Sequence, residues 1–164
     1  MEMMAINPAT LIKMSTIARD FAAALEDHRA GRGQAAEATC LAIVARDPNY
    51  ADAWHLLGLI ARDQHNLSHA VECIQRSLAL NPQNPATRNN LGILLKNQGQ
   101  FAEAIACYQQ VLQLDPGFIQ AYNNLANVWQ GLGRFDDAIG CCRKAIEINP
   151  RFIDAHLTLG NVLQ

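Results

Sequence analysis

The chain has 164 residues, half of them hydrophobic, and 13 Lys and Arg against 15 Asp and Glu give a net charge of −2. That balance excludes both a basic nucleic-acid binder and a disordered acidic tail. Residues 1–15 lack the apolar core of a signal peptide, and no run approaches the ~18 residues needed to span a bilayer, so the default expectation is a cytoplasmic protein without a membrane partner.

In chain order, residues 1–16 read as an N-terminal extension of the first helix. Asn7 is placed to cap it, Pro8 suits its first turn, and Leu11, Ile12 and Met14 lead into Ile17, Phe21 and Leu25. From there the sequence falls on itself when shifted by 34 residues. Pro48, Pro82, Pro116 and Pro150 are spaced by that interval, as are Leu57, Leu91, Leu125 and Leu159, followed by the small residues Gly58, Gly92, Ala126 and Gly160. Ala36, Ala70, Ala104 and Ala138 repeat likewise. A period of this length predicts an all-α solenoid of stacked helical hairpins.

The expected units are 17–50, 51–84, 85–118 and 119–152. The first is the most degenerate, with Asp20, Ala23 and Ala24 in the columns of Trp54, Leu57 and Gly58, as a terminal repeat allows. In the third, Asn84 caps a helix A with Pro85 in its first turn and Leu91, Gly92, Leu94 and Leu95 on its apolar face; Gly99 ends it. Helix B, about 101–114, carries Ala104, Ile105, Tyr108, Val111 and Leu112 on one side and stops before Pro116. Gly92 and Ala104 are expected where the two helices cross closest, and Tyr108 where space between hairpins must be filled. A fifth helix A starts at Ile153 without a helix B, so the chain reads as a piece of a longer protein. Its uncovered side, drawn from Leu157, Leu159, Val162 and Leu163, is expected to self-associate or fray.

These columns resemble the tetratricopeptide repeat. Trp54, Leu57, Gly58, Ala70 and Pro82 supply its pattern in one unit, and Tyr122, Leu125, Ala126, Trp129, Gly133, Ala138, Ala145 and Pro150 in another. Cys40, Ile74 and Cys142 depart from it at an aromatic column of helix B, and His65 at the turn glycine. The resemblance spans roughly residues 17–164 and implies a right-handed superhelical solenoid of antiparallel helix pairs, with four repeats and one unpaired C-terminal helix.

Chemistry is sparse. Cys73, Cys107 and Cys141 sit at equivalent places on successive B helices, too far apart for a disulfide, and Cys40 and Cys142 fall on a buried column; reduced structural thiols are expected. Gly31-Arg32-Gly33 and Gly131-Leu132-Gly133 fall on the turn column rather than after a strand, and so read as turns. His65 and His69 are four apart without a zinc motif. No nucleophile comes with a base and an orienting partner, so neither an active site nor a metal or cofactor is expected.

The function implied by the resemblance is a scaffold for protein–protein interaction, holding an extended peptide in the concave groove lined by the A helices. The family's groove offsets fall on Asp52, His55, Leu59, Arg62 and Asp63; on Asn89, Asn90, Ile93, Lys96 and Asn97; on Gln120, Asn123, Asn124, Asn127 and Gln130; and on Asp154, Leu157, Thr158 and Asn161. Side-chain amides donate and accept, so an asparagine ladder suits a peptide backbone; the competing reading is that these amides bond neighbouring helices. The runs at 89–92 and 123–126 are similar to the repeats of O-linked N-acetylglucosamine transferases and related bacterial proteins. This leaves the alternative of a substrate-recruiting arm of a larger enzyme, such as a glycosyltransferase, whose catalytic domain lies outside the chain. The carboxylate clamp that takes chaperone tails is not matched, because its columns hold Phe21, Leu25 and Leu56 or His55, Leu59 and Asn90.

Overall fold

A computed structural model describes residues 8–163, with side chains from residue 15 onward. Asn7, and the side chains of Leu11, Ile12 and Met14, lie outside the described residues. The chain divides into two compact units, Met1–Leu80 and Asn81–Gln164. The first holds α1 (Pro8–Arg29), α2 (Gly33–Arg46), α3 (Ala51–Asp63) and α4 (Leu67–Leu80). The second holds α5 (Pro85–Asn97), α6 (Phe101–Leu114), α7 (Ile119–Gly131), α8 (Phe135–Ile148) and α9 (Ile153–Val162). Among the described residues all regular structure is helical, and α1 with α2, α3 with α4, α5 with α6 and α7 with α8 pack as hairpins. This is an all-α, tetratricopeptide-like solenoid.

The punctuation has a backbone cause. Between the helices of each hairpin, Gly31, Gly99 and Gly133 take positive φ (74°, 78° and 72°), and His65 does so at 61° despite its Cβ. The amide one residue further on then reaches back to the last turn: Arg32 to Asp27 O (2.8 Å), Asn66 to Ala61 O, Gln100 to Leu95 O and Arg134 to Trp129 O (2.9 Å each). That bond closes otherwise unpaired C-terminal carbonyls. Between hairpins, Asp47, Asp115 and Asn149 stand before proline in extended backbone, as the proline ring requires. Each accepts from the amide two residues on, at 2.9 to 3.0 Å. Asn84 caps α5 by accepting from the Thr87 amide at 3.0 Å, with Pro85 in the first turn. A further device recurs six residues after the proline: Trp54 Nε1 donates to Pro48 O (2.9 Å), Arg88 Nη2 to Pro82 O (2.7 Å), and His156 Nε2 meets Pro150 O (2.9 Å).

Inside a hairpin, one column of helix A faces one column of helix B. A Cβ added to Gly92 would lie 2.6 Å from Tyr108 Cε1 and 2.9 Å from its Cζ. The ring therefore occupies the place of the missing methyl within its own hairpin. Gly58 meets Ile74 Cγ1 and Cδ1 at 2.6 and 2.7 Å, and the Ala70 carbonyl oxygen at 3.1 Å, so here the backbones themselves come close. Where helix B offers only a cysteine, helix A carries a Cβ: Ala24 shares a core with Cys40, and Ala126 with Cys142, all fully buried. Glycine goes with a bulky partner and alanine with a small one. Gly160, in the same column of α9, has nothing within 4 Å. Of the apolar residues expected to be uncovered there, Leu157 and Leu163 are 62% and 66% exposed, whereas Leu159 and Val162 pack against the Ala126–Ala138–Cys142 core.

This complementarity predicts strong coupling in urea denaturation. Gly92→Ala should destabilise by about 1–3 kcal/mol through overpacking, and most of that cost should vanish in a Tyr108→Cys background, which reproduces the Ala126–Cys142 pairing. Additive costs in the double-mutant cycle would show that the two side chains do not compete for one space.

Candidate functional site

The candidate residues lie on the A helices, and the structure separates them into those that bond helices to each other and those that face outward. In the second unit, Asn124 Nδ2 on α7 donates to Asn89 Oδ1 on α5 at 2.9 Å. Thr158 Oγ1 on α9 lies 3.2 Å from both Asn123 Oδ1 and Asn127 Oδ1 on α7. One hydroxyl proton serves those two acceptors in turn. Both steps run from the second position of one A helix to the first position of the A helix before it. The Asn123-Asn124 pair is thus a two-way connector, accepting from α9 through its first member and donating to α5 through its second.

Burial follows from this role. Asn89, Asn123 and Thr158 are only 7%, 9% and 6% exposed, so these three present almost no surface to a ligand. Asn124 is half-buried with its amide engaged, and Asn90 and His55 are half-buried and not free. The outward set is different. Asn97, Gln120, Asp154, Leu157 and Asn161 are exposed, and Ile93, Lys96 and Gln130 half-buried; Asn127, also half-buried, accepts from Thr158 and so belongs with the connectors. On α3 of the first unit Asp52 is exposed, and Leu59 and Arg62 are half-buried beside His55. Leu59 packs on the core of that unit, which places it at the floor of the face.

Electrostatics of the first unit centre on Asp63. Burial alone would raise its pKa, but hydrogen bonds from Arg62 (Nε 3.0 Å, Nη2 2.8 Å) and His28 (Nε2 3.0 Å) outweigh it and hold the carboxyl below its usual value. His55 is held below the ordinary imidazole range, first by burial and then by Arg62, against the opposing charge of Asp52. The imidazole is therefore the neutral form at pH 7, able to donate from one nitrogen and accept at the other.

Nucleophile chemistry finds no support. Cys73 Sγ lies 3.6 Å from His69 Nε2, yet burial, with smaller contributions from Glu72 and Glu37, pushes the thiol up to about 11. Cys40 and Cys141 are likewise pushed to about 11, chiefly by burial, and all five cysteines are free. A thiol this reluctant to ionise is a poor nucleophile. Among the described residues no group of three His, Cys, Asp or Glu side chains could hold a metal, and no helix is long and apolar enough to cross a membrane.

Sequence reasoning did not foresee the direction of the asparagine bonds. The signal was present: an amide pair in which the partner of each member lies one repeat plus one residue away, ending at Thr158 in place of a third amide.

The family model described as the tetratricopeptide repeat matches residues 51–84, 85–118 and 119–152, so the chain belongs to the tetratricopeptide repeat family. No curated protein matches it in sequence. Similar solved structures include PilF of Pseudomonas aeruginosa, with 21% identity over 91% of this chain and 68% of that one and a TM-score of 0.84. A crystal structure of MamA shows 24% identity over 84% and 80%, with a TM-score of 0.76. YrrB, described as a repeat protein of this family with an unusual peptide-binding site, shows 22% identity over 88% and 74%, with a TM-score of 0.76. These likenesses establish the fold.

Two measurements test the site. Asn124→Ala leaves the buried Asn89 oxygen without its donor and should cost about 1–3 kcal/mol, while Asn97→Ala should stay within about 0.5 kcal/mol; equal effects in chemical denaturation would contradict the connector role. For His55, the unfolded imidazole titrates near 6.5 and the folded one lower. The unfolded chain then takes up the proton first, so this contribution is complete above about pH 6.5 and is lost as pH falls below it. His55→Asn, the residue found one and two repeats on, should flatten stability between about pH 6.5 and 5; an unchanged slope would refute the assignment.

Proposed function

We propose that the chain is a non-catalytic protein-interaction scaffold that binds an extended peptide segment of a partner along the outward row of its A helices. The carrying observation is the free set in the second unit: the side chains of Lys96, Asn97, Gln120, Gln130 and Asn161 have no hydrogen-bond partner among the described residues, whereas their buried neighbours are committed. Four amides and one ammonium offer donors and acceptors to a peptide backbone without demanding a particular side chain. Membership of the repeat family and the peptide-binding site named for YrrB support a scaffold of this kind. Within the first unit, Asp52, Arg62 and the neutral His55 on α3 offer charged and polar groups of their own.

Peptides selected from a random extended library against the full chain provide the test. Lys96→Ala and Gln130→Ala should each weaken a selected peptide roughly 2- to 10-fold, the effect of losing one hydrogen bond of about 0.5–1.5 kcal/mol, with thermal midpoints unmoved. Selected peptides that bind both variants as well as the parent would place the binding surface elsewhere. Self-association through α9 belongs to the same proposal, supported by the exposure of Ile153 (70%), Leu157 and Leu163. In sedimentation, Leu157→Glu with Leu163→Glu should then convert a dimer to monomer, and a monomeric parent would refute it.

A further inference from the structure

Where α3, α7 and α9 place an aromatic ring, at Trp54, Tyr122 and His156, the third repeat places Arg88. At that guanidinium lies an open cavity of about 300 Å³ lined by Pro82, Gln83, Arg88, Gln110, Gln113 and Leu114. Arg88 is anchored in it: Nη1 donates to Gln110 Oε1 at 2.8 Å and Nη2 to Pro82 O at 2.7 Å. Both acceptors are neutral. Among the described residues Arg88 pairs with no carboxylate, although six pairs between Lys or Arg and a carboxylate are formed, and its Nε is buried without a partner. A guanidinium has five N–H donors, and these bonds use two. One N–H on each terminal nitrogen remains, with the side-chain amides of Gln83 and Gln113 on the same walls and no acidic side chain among them.

We propose that this cavity is a binding site for a small oxyanion, a carboxylate or phosphate group. A fixed, half-buried cation whose only acceptors are neutral is short of one negative charge, and a guanidinium already oriented by two bonds presents its remaining donors at little entropic cost. Amide donors from Gln83 and Gln113 suit the other oxygens of such a group. The site is separate from the outward row of the A helices, since none of its lining residues belongs to that row.

The test titrates inorganic phosphate and, separately, acetate into the full ¹⁵N-labelled chain, following the Arg88 Nε–Hε signal and the side-chain amides of Gln83, Gln110 and Gln113. Saturable shifts at these signals are expected, with half-saturation on the order of 1 mM for so small a ligand. Saturation by phosphate alone assigns the phosphate class, saturation by acetate alone the carboxylate class, and saturation by both the shared oxyanion chemistry. Arg88→Tyr, which restores the ring of the next repeat, should abolish saturation. Should that variant fold poorly, Gln113→Glu supplies an internal carboxylate at an exposed position and should abolish it equally. Linear, unsaturating shifts with both anions, or saturation that survives in either folded variant, would overturn the proposal.

Discussion

The structure depends on how closely the two helices of a hairpin approach, and that approach is set by one small residue of helix A and the helix B side chain that faces it. At Gly92 and Gly58 the absent Cβ makes room for Tyr108 and Ile74, with ideal Cβ contacts of 2.6 Å that no side chain tolerates. Close packing leaves no slack to absorb an added carbon. When the helix B residue shrinks to Cys40 or Cys142, the helix A residue grows to Ala24 or Ala126, which offsets part of the lost volume. Glycine thus faces Ile74 or Tyr108, and alanine faces cysteine in the first and fourth hairpins.

That local constraint positions the chemistry. Once a hairpin is closed, the remaining face of helix A is split between a row that meets the neighbouring A helix and a row that does not. Asn89, Asn123, Asn124 and Thr158 occupy the first, and their bonds hold α5, α7 and α9 at a defined offset. A buried amide without its partner would cost about 1–3 kcal/mol, so those bonds also select against slipped registers. Lys96, Asn97, Gln120, Gln130 and Asn161 occupy the second row and carry the proposed binding function. The same residue type thus serves structure or recognition according to its position on the helix.

Much of this was legible in the residues. Pro48, Pro82, Pro116 and Pro150 mark extended turns, and Gly31, Gly99 and Gly133 mark left-handed ones, because proline and glycine restrict or permit φ whatever surrounds them. His65 could be placed in the same turn only by register, since nothing in a histidine demands positive φ. The candidate site was less legible. Periodicity locates Asn89 and Asn97 on one helix, but whether an amide turns to a neighbour or to solvent depends on the distance between α5 and α7, a tertiary quantity. Tyr108 shows the same limit: its size announces a space to be filled, and only the coordinates show that the space lies over Gly92. The pairing of Ala126 with Cys142 was available as a covariation inside one chain, for a reader comparing repeats with each other.

The asparagines of this array divide into helix connectors and amides left free for the proposed recognition. Hydrogen exchange of side-chain amides, followed by NMR on the full chain, tests this division most directly. The Asn124 Nδ2 protons, bonded to Asn89 at 2.9 Å, should exchange much more slowly than those of Asn97 and Asn161. A bound peptide should slow only the latter group. Equal exchange at all three before a ligand is added would contradict the division.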